Sequence, residues 1–203
     1  MAYHLYSNGG LLNGTTKTIL VLLLCGGIAC CSSCVSGNAA KKNAPQPYIW
    51  LTDSYKYILL PPEDIEYPLD SHQLISASYG NNDYYLNAWV KADATGMNIT
   101  MINELGANMG ELSYRDGAVS FSSAMFPPSL RPEYIIADFQ LCFYKASALR
   151  QALENHGLSF EEEAGRRILE GKNVIIEIEK SQNTITLINH LRGYAYTLEG
   201  DFE

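Results

Sequence analysis

The residues best placed to do chemistry are four cysteines crowded into ten positions, Cys25, Cys30, Cys31 and Cys34, directly behind an apolar run. The chemistry they suggest is acylation of a thiol. Lys17 is followed by Thr18-Ile19-Leu20-Val21-Leu22-Leu23-Leu24, and Gly26-Gly27-Ile28-Ala29 then leads into Cys30. The run from Ile19 to Ala29 is about half of the roughly 20 residues that a spanning helix needs, which fits the apolar core of a signal peptide rather than a membrane span. Lipoprotein signal peptidase requires a small residue before the acylated cysteine. Ala29 gives Cys30 that setting, whereas Leu24 precedes Cys25 and Cys30 precedes Cys31. Cys34 follows Ser33 but lacks the apolar lead-in, so it is the second choice. The expectation is a signal peptide over 1–29 and lipidation at Cys30. Two or more acyl chains anchor a protein stably, at about 0.8 kcal/mol per buried methylene. The residue after the anchor is Cys31 and not aspartate, so the expected location is the outer membrane, facing the periplasm.

No other spacing points to catalysis. The chain has no serine elbow, no phosphate-cradling glycine loop before a lysine, and no histidine pair at metal-ligand spacing. His72, His156 and His190 are far apart in sequence, and Cys142 sits in an apolar run, Phe139-Gln140-Leu141-Cys142-Phe143-Tyr144, where it reads as a small buried side chain. Glu161-Glu162-Glu163 reads as a solvated face near Arg166 and Arg167. The expectation is a protein that is not an enzyme, with no metal and no cofactor. Beyond residue 29 the chain carries 13 basic against 22 acidic residues, which argues against nucleic acid as a partner.

The segments that must position any site follow from patterning. Residues 30–47 are small, polar and end in Pro45-Gln46-Pro47, a composition that predicts a flexible tether with an r.m.s. length on the order of 20–25 Å. One domain is expected over 48–203. Most of it alternates apolar and polar residues between turn signals, the signature of strands: 55–60, 72–78, 84–93, 97–104, 111–115, 158–168, 173–179, 184–190 and 194–199. In 84–93, Leu86, Ala88, Val90 and Ala92 share one face while Tyr85, Asn87, Trp89 and Lys91 share the other. Asp116-Gly117 between Leu112–Arg115 and Ala118–Phe121 predicts a type I′ hairpin. Residues 131–156 break the pattern. Pro132 and Glu133 mark a helix start, and Ala148, Leu149, Ala152 and Leu153 form a helical stripe closed by Asn155-His156-Gly157. Strands, a helical pair and strands again predict a mainly β, curved antiparallel half-barrel with a helical plug on its concave side.

Such a plug can enclose a greasy space. Four of the five methionines lie between Met97 and Met125 among aromatic residues, and methionine packs adaptably against irregular partners. The candidate cavity-lining residues are Trp89, Met97, Met101, Met109, Phe121, Met125, Phe126, Phe139 and Phe143.

Several motifs carry a family resemblance: Leu59-Leu60-Pro61-Pro62-Glu63-Asp64, Gln73-Leu74, Arg115-Asp116-Gly117, Leu130-Arg131-Pro132-Glu133-Tyr134-Ile135-Ile136-Ala137-Asp138-Phe139-Gln140-Leu141, Ala148-Leu149-Arg150, Arg166-Arg167, and Asn189-His190 with Gly193-Tyr194. Over residues 57–199 the chain resembles bacterial outer-membrane lipoproteins of unknown function encoded beside aryl-polyene biosynthesis genes. That family in turn resembles the LolA/LolB type of lipoprotein carrier, an unclosed antiparallel barrel with helices covering an apolar cavity. Family members usually carry tryptophan where this chain has Phe143 or Tyr144, and proline where it has Lys145. The resemblance implies no catalytic residues. It implies a lipid-like partner, an acyl or polyene molecule, beside the membrane that holds the anchor; an envelope protein docked on the curved sheet is the second reading.

Overall fold

The structure is a computed structural model, and it describes residues 45–79, 81–123, 126 and 128–202. The signal peptide expected over 1–29, with Cys30, Cys34 and residues 30–44 of the tether expected over 30–47, lies outside the described residues. Residues Lys41–Glu203 form a compact unit with a hydrophobic core of its own, the property that lets a domain fold by itself.

Two short strands, β1 (Tyr48–Trp50) and β2 (Lys56–Ile58), pair into an antiparallel ribbon. Five strands then run as a meander: β3 (Leu69–Tyr79), β4 (Asn82–Asp93), β5 (Gly96–Ile102), β6 (Asn108–Arg115) and β7 (Ala118–Ser122). Helices α1 (Pro132–Phe143) and α2 (Ala146–Glu154) follow. Five more strands complete the fold: β8 (Ser159–Glu162), β9 (Gly165–Glu170), β10 (Asn173–Lys180), β11 (Thr184–Asn189) and β12 (Tyr194–Gly200).

Among the described residues, ten strands make one sheet in the order β7-β6-β5-β4-β3-β12-β11-β10-β9-β8. Every pairing is antiparallel, and β7 and β8 do not pair with each other, so the barrel stays open. The expected mainly β half-barrel with a helical plug is the architecture found. The expected strand over 55–60 contributes only β2, which pairs with β1 outside the large sheet. The segment read loosely as 158–168 is two strands, β8 and β9, joined by a tight turn.

Local chemistry explains the joints. Asp116 and Gly117 have φ of 52° and 72°, the left-handed pair that a type I′ turn demands. Gly157, at φ 82°, closes α2, with the Leu158 N–H donating to the Leu153 carbonyl at 3.3 Å, a Schellman-type ending. Alternation decides the faces. Val90, Ile99 and Leu112 on one half of the sheet, and Ile168, Ile178 and Leu187 on the other, point inward and are buried, while the helices pack on that face.

Helix α1 is the exception to amphipathicity. All eight residues from Ile136 to Phe143 are buried, as expected of a helix with packed elements around it. Its two buried polar residues therefore need partners.

Candidate functional site

Gln140 is fully buried and is one of the residues that hold α1 in place. Its Oε1 accepts from the Tyr57 hydroxyl and the Leu60 N–H, both at 3.0 Å, and its Nε2 donates to the Leu60 carbonyl at 2.8 Å. The side-chain amide thus completes the backbone hydrogen bonds of the strand-like stretch after β2. Arg166 holds the other end of α1. It is 2 % exposed; its Nη1 donates to the Leu141 and Cys142 carbonyls at 2.8 and 3.1 Å. Those are orphan acceptors of the last helical turn, where the helix dipole favours a cation. Glu162 at 2.8 Å and Glu66 at 3.2 Å balance its charge. The solvated face expected for Glu161–Glu163 is found, all three being exposed and Glu161 pairing with Arg167 near the surface, while the neighbouring Arg166 is a buried link between β9 and α1.

With α1 so fixed, a cavity of 180 Å³ remains between it and the sheet. Its depth is lined by the buried Val90, Ile99, Met101, Phe139 and Leu198, and its outer part by the half-buried Ile75, Leu86, Phe126, Leu130, Ile135 and Tyr196. Two buried polar residues share the lining, Gln73 and Asp138. Apolar walls with a few convergent polar groups are the usual composition of a small-molecule site. Two larger depressions, of 470 and 630 Å³, are polar. The first is bordered by Glu161, Glu177, Glu179, Arg167 and Lys180; Glu161 pairs with Arg167, and burial is the main influence that pushes the Lys180 amine down.

Asp138 is the distinctive group of the cavity. Burial pushes its carboxyl up to about 7, against the opposing influence of the Tyr194 hydroxyl and of Arg192. The Tyr194 hydroxyl donates to the carboxylate, 3.0 and 2.9 Å from its two oxygens. Burial, and then the Asp138 charge, raise Tyr194 in turn. Cys142, one helical turn beyond Asp138, is pushed up to about 12 by burial and by Asp138, so it stays a thiol at neutral pH and is a poor nucleophile.

Among the residues read from sequence as lining, the structure brings Met101, Phe126 and Phe139 to the cavity. Met97 is buried in the core opposite Tyr114. Phe143 is buried between Phe139 and Phe202, at ring-centroid distances of 4.6 and 5.7 Å. Phe121 packs near Phe126 at 6.1 Å, and Met109 is half-buried, its carbonyl accepting from Ser123. Met125 lies outside the described residues. Trp89 is corrected: it is 54 % exposed on the opposite face of the sheet, donating to Asp70 at 3.0 Å beside His72. Strand alternation places it out of phase with Leu86 and Val90, and that pattern was already visible in the sequence. Sequence reasoning missed Gln73 and Asp138. Their signal is a polar residue on an inward phase, Gln73 two positions before Ile75, and Asp138 amid Ile135–Phe143.

Among the described residues no group of three or more His, Cys, Asp or Glu side chains could hold a metal ion, and no helix is long and apolar enough to cross a membrane. No curated protein matches the chain. A family model described as "Protein of unknown function (DUF3261)" matches residues 70–200, from the second residue of β3 to the last of β12, and so includes both helices and nearly all of the cavity wall. A match over more than half of the sequence, spanning the whole ten-stranded sheet, makes this chain a member of the DUF3261 family of proteins of unknown function.

Proposed function

We propose that the protein is a lipid-anchored lipoprotein of the outer membrane that binds or hands over a lipid-like molecule, with an acyl or polyene chain, without catalysing a reaction. The observation that carries this reading is the apolar cavity between α1 and the sheet, with half-buried apolar residues at its outer part. Removing a chain from water there contributes about 25 cal/mol per Å² of apolar surface. The volume of 180 Å³ lies below the roughly 300 Å³ at which ligand pockets usually begin, so the cavity suits one end of a chain rather than a whole lipid. The likeness to the LolA/LolB carriers and to lipoproteins encoded beside aryl-polyene genes supports the same reading. In it, Cys30 carries the acyl groups and residues 30–47 tether the domain to the membrane.

Native mass spectrometry of the protein produced in a Gram-negative envelope tests cargo binding. The expected result is a co-purifying lipid, lost when Met101 and Val90 are both replaced by tryptophan to fill the cavity. Protein that is always empty, and no more empty after filling, refutes the reading. The anchor is tested separately by palmitate labelling, where Cys30→Ser should abolish both labelling and processing. Unchanged labelling moves the anchor to Cys34.

A second reading, an assembly factor that docks an envelope protein, is favoured by the exposed row Leu74, Tyr85 and Trp89 on the outer face of β3 and β4. Site-specific photo-crosslinking from position 85 in the intact envelope distinguishes it: a discrete adduct with one envelope protein supports docking, and its absence removes this alternative.

A further inference from the structure

The cavity wall contains a feature that an apolar container does not require. Asp138 is buried in it, and among the described residues no cation lies within ion-pair distance of its carboxyl. The titratable groups that face it are few: the Tyr194 and Tyr196 hydroxyls from β12, Arg192 from the turn before β12, and the Cys142 thiol of its own helix. Arg192 is engaged elsewhere, its guanidinium 5.0 Å above the Tyr134 ring and bonded to the Trp50 carbonyl. Tyr194 supplies one hydroxyl proton shared between both carboxylate oxygens. A carboxylate facing hydrocarbon with so little compensation is held at a cost, and the neutral acid removes that cost.

Gln73 lies on the same lining and is 1 % exposed. Its Nε2 donates to the Ser71 hydroxyl at 3.1 Å. An amide and a neutral carboxylic acid each offer both a donor and an acceptor, the complement of an uncharged polar group such as a hydroxyl. An ammonium would need three acceptors, and a second carboxylate would be repelled by an ionised Asp138.

Resting on the reading of the cavity as a lipid-like binding site, we propose that it takes the uncharged, hydrogen-bonding end of an apolar chain against Asp138 and Gln73, and that binding draws a proton onto Asp138. A chain entering the cavity displaces the remaining water from the carboxyl and so favours its neutral form, which already predominates below about pH 7. By linkage, affinity is greatest at acidic pH and falls as the pH rises through that value. Cargo release then accompanies proton release.

The test uses the unit 41–203, with 1-decanol and decylamine as probes in isothermal titration at pH 6 and pH 8. For 1-decanol the dissociation constant should rise about tenfold between the two pH values, the change expected when only the protonated form binds. Asp138→Asn, neutral and of the same shape, should bind 1-decanol equally at both pH values. Saturating 1-decanol should also move the Asp138 carboxyl titration upward in 13C NMR of the unmodified protein, a measurement that stands even where the variant fails to fold. Equal affinity of the unmodified protein for 1-decanol at both pH values, or an unmoved titration, overturns the proton-linked proposal and leaves the carrier reading intact. Decylamine binding more tightly than 1-decanol, with affinity rising with pH, overturns it in favour of an ion-pairing site. Failure of both probes to bind at either pH overturns this proposal together with the reading on which it rests.

Discussion

Two polar side chains on one buried helix behave differently because one is fully paired and the other is not. Gln140 saturates its amide on Tyr57 and Leu60. Gln140→Leu would leave the Leu60 N–H and carbonyl and the Tyr57 hydroxyl without partners, at about 1–3 kcal/mol for each unsatisfied buried group. The expected outcome is a loss of about 3 kcal/mol or more in urea unfolding, and a loss below about 1 kcal/mol would mean that water replaces the amide. Asp138 carries a sign that depends on pH. Folding raises its carboxyl from the ordinary 3.8 to about 7, so the folded state binds the proton more tightly than the unfolded chain. The corresponding stability is present below pH 4 and is lost progressively as the pH rises to about 7. Asp138→Asn keeps an acceptor for Tyr194 and escapes that loss. It should be more stable than the unmodified protein by on the order of 2–4 kcal/mol at pH 8, with the advantage shrinking toward pH 4. Thermal unfolding at the two pH values checks this, and a pH-independent difference would sink it.

At the scale of elements, the helical plug is held by strands far from it in sequence. Arg166 of β9 caps α1, and the residue before it shows how close the strands lie. A Cβ on Gly165 would sit 2.4 Å from the Ile178 carbonyl oxygen of β10, a clash with backbone that no side-chain rotation relieves. Gly165→Ala should therefore separate β9 from β10, displace Arg166, and lower the urea midpoint by an amount equivalent to about 2–3 kcal/mol or more. Unchanged stability would mean that this pairing is looser than the register indicates. The hairpin at Asp116-Gly117 is the contrasting case, since its turn is specified by two adjacent residues and needs no tertiary partner.

For the molecule as a whole, the last strand is the central one. Residues Tyr194–Gly200 of β12 pair with Gln73–Tyr79 of β3, joining the meander before the helices to the meander after them. The inward Tyr194, Tyr196 and Leu198 also face the cavity region, and Phe202 beyond them packs on Phe143. Chain termini usually tolerate trimming, but here trimming should split the sheet. Deletion of 194–203 is expected to abolish the cooperative unfolding transition and the near-ultraviolet circular dichroism signal. A truncated protein that still unfolds cooperatively would show that each half-sheet folds alone.

The amino-acid sequence by itself determined what local chemistry can specify. Alternation made the strands legible, Asp116-Gly117 the hairpin, and Pro132 with the Asn155-His156-Gly157 stop the helical pair, because each depends on residues a few positions apart. The same alternation also placed Trp89 on the outer face, away from the cavity. Only the tertiary structure decided that β12 lies beside β3, that Arg166 is buried under α1, and that Gln73 and Asp138 share a cavity wall. Those facts depend on partners tens of residues away, 24 and 100 in the case of Arg166 and its contacts with Cys142 and Glu66. A buried polar residue reads in sequence as an interruption of an apolar run, and its role appears only once folding supplies, or withholds, its hydrogen-bond partners.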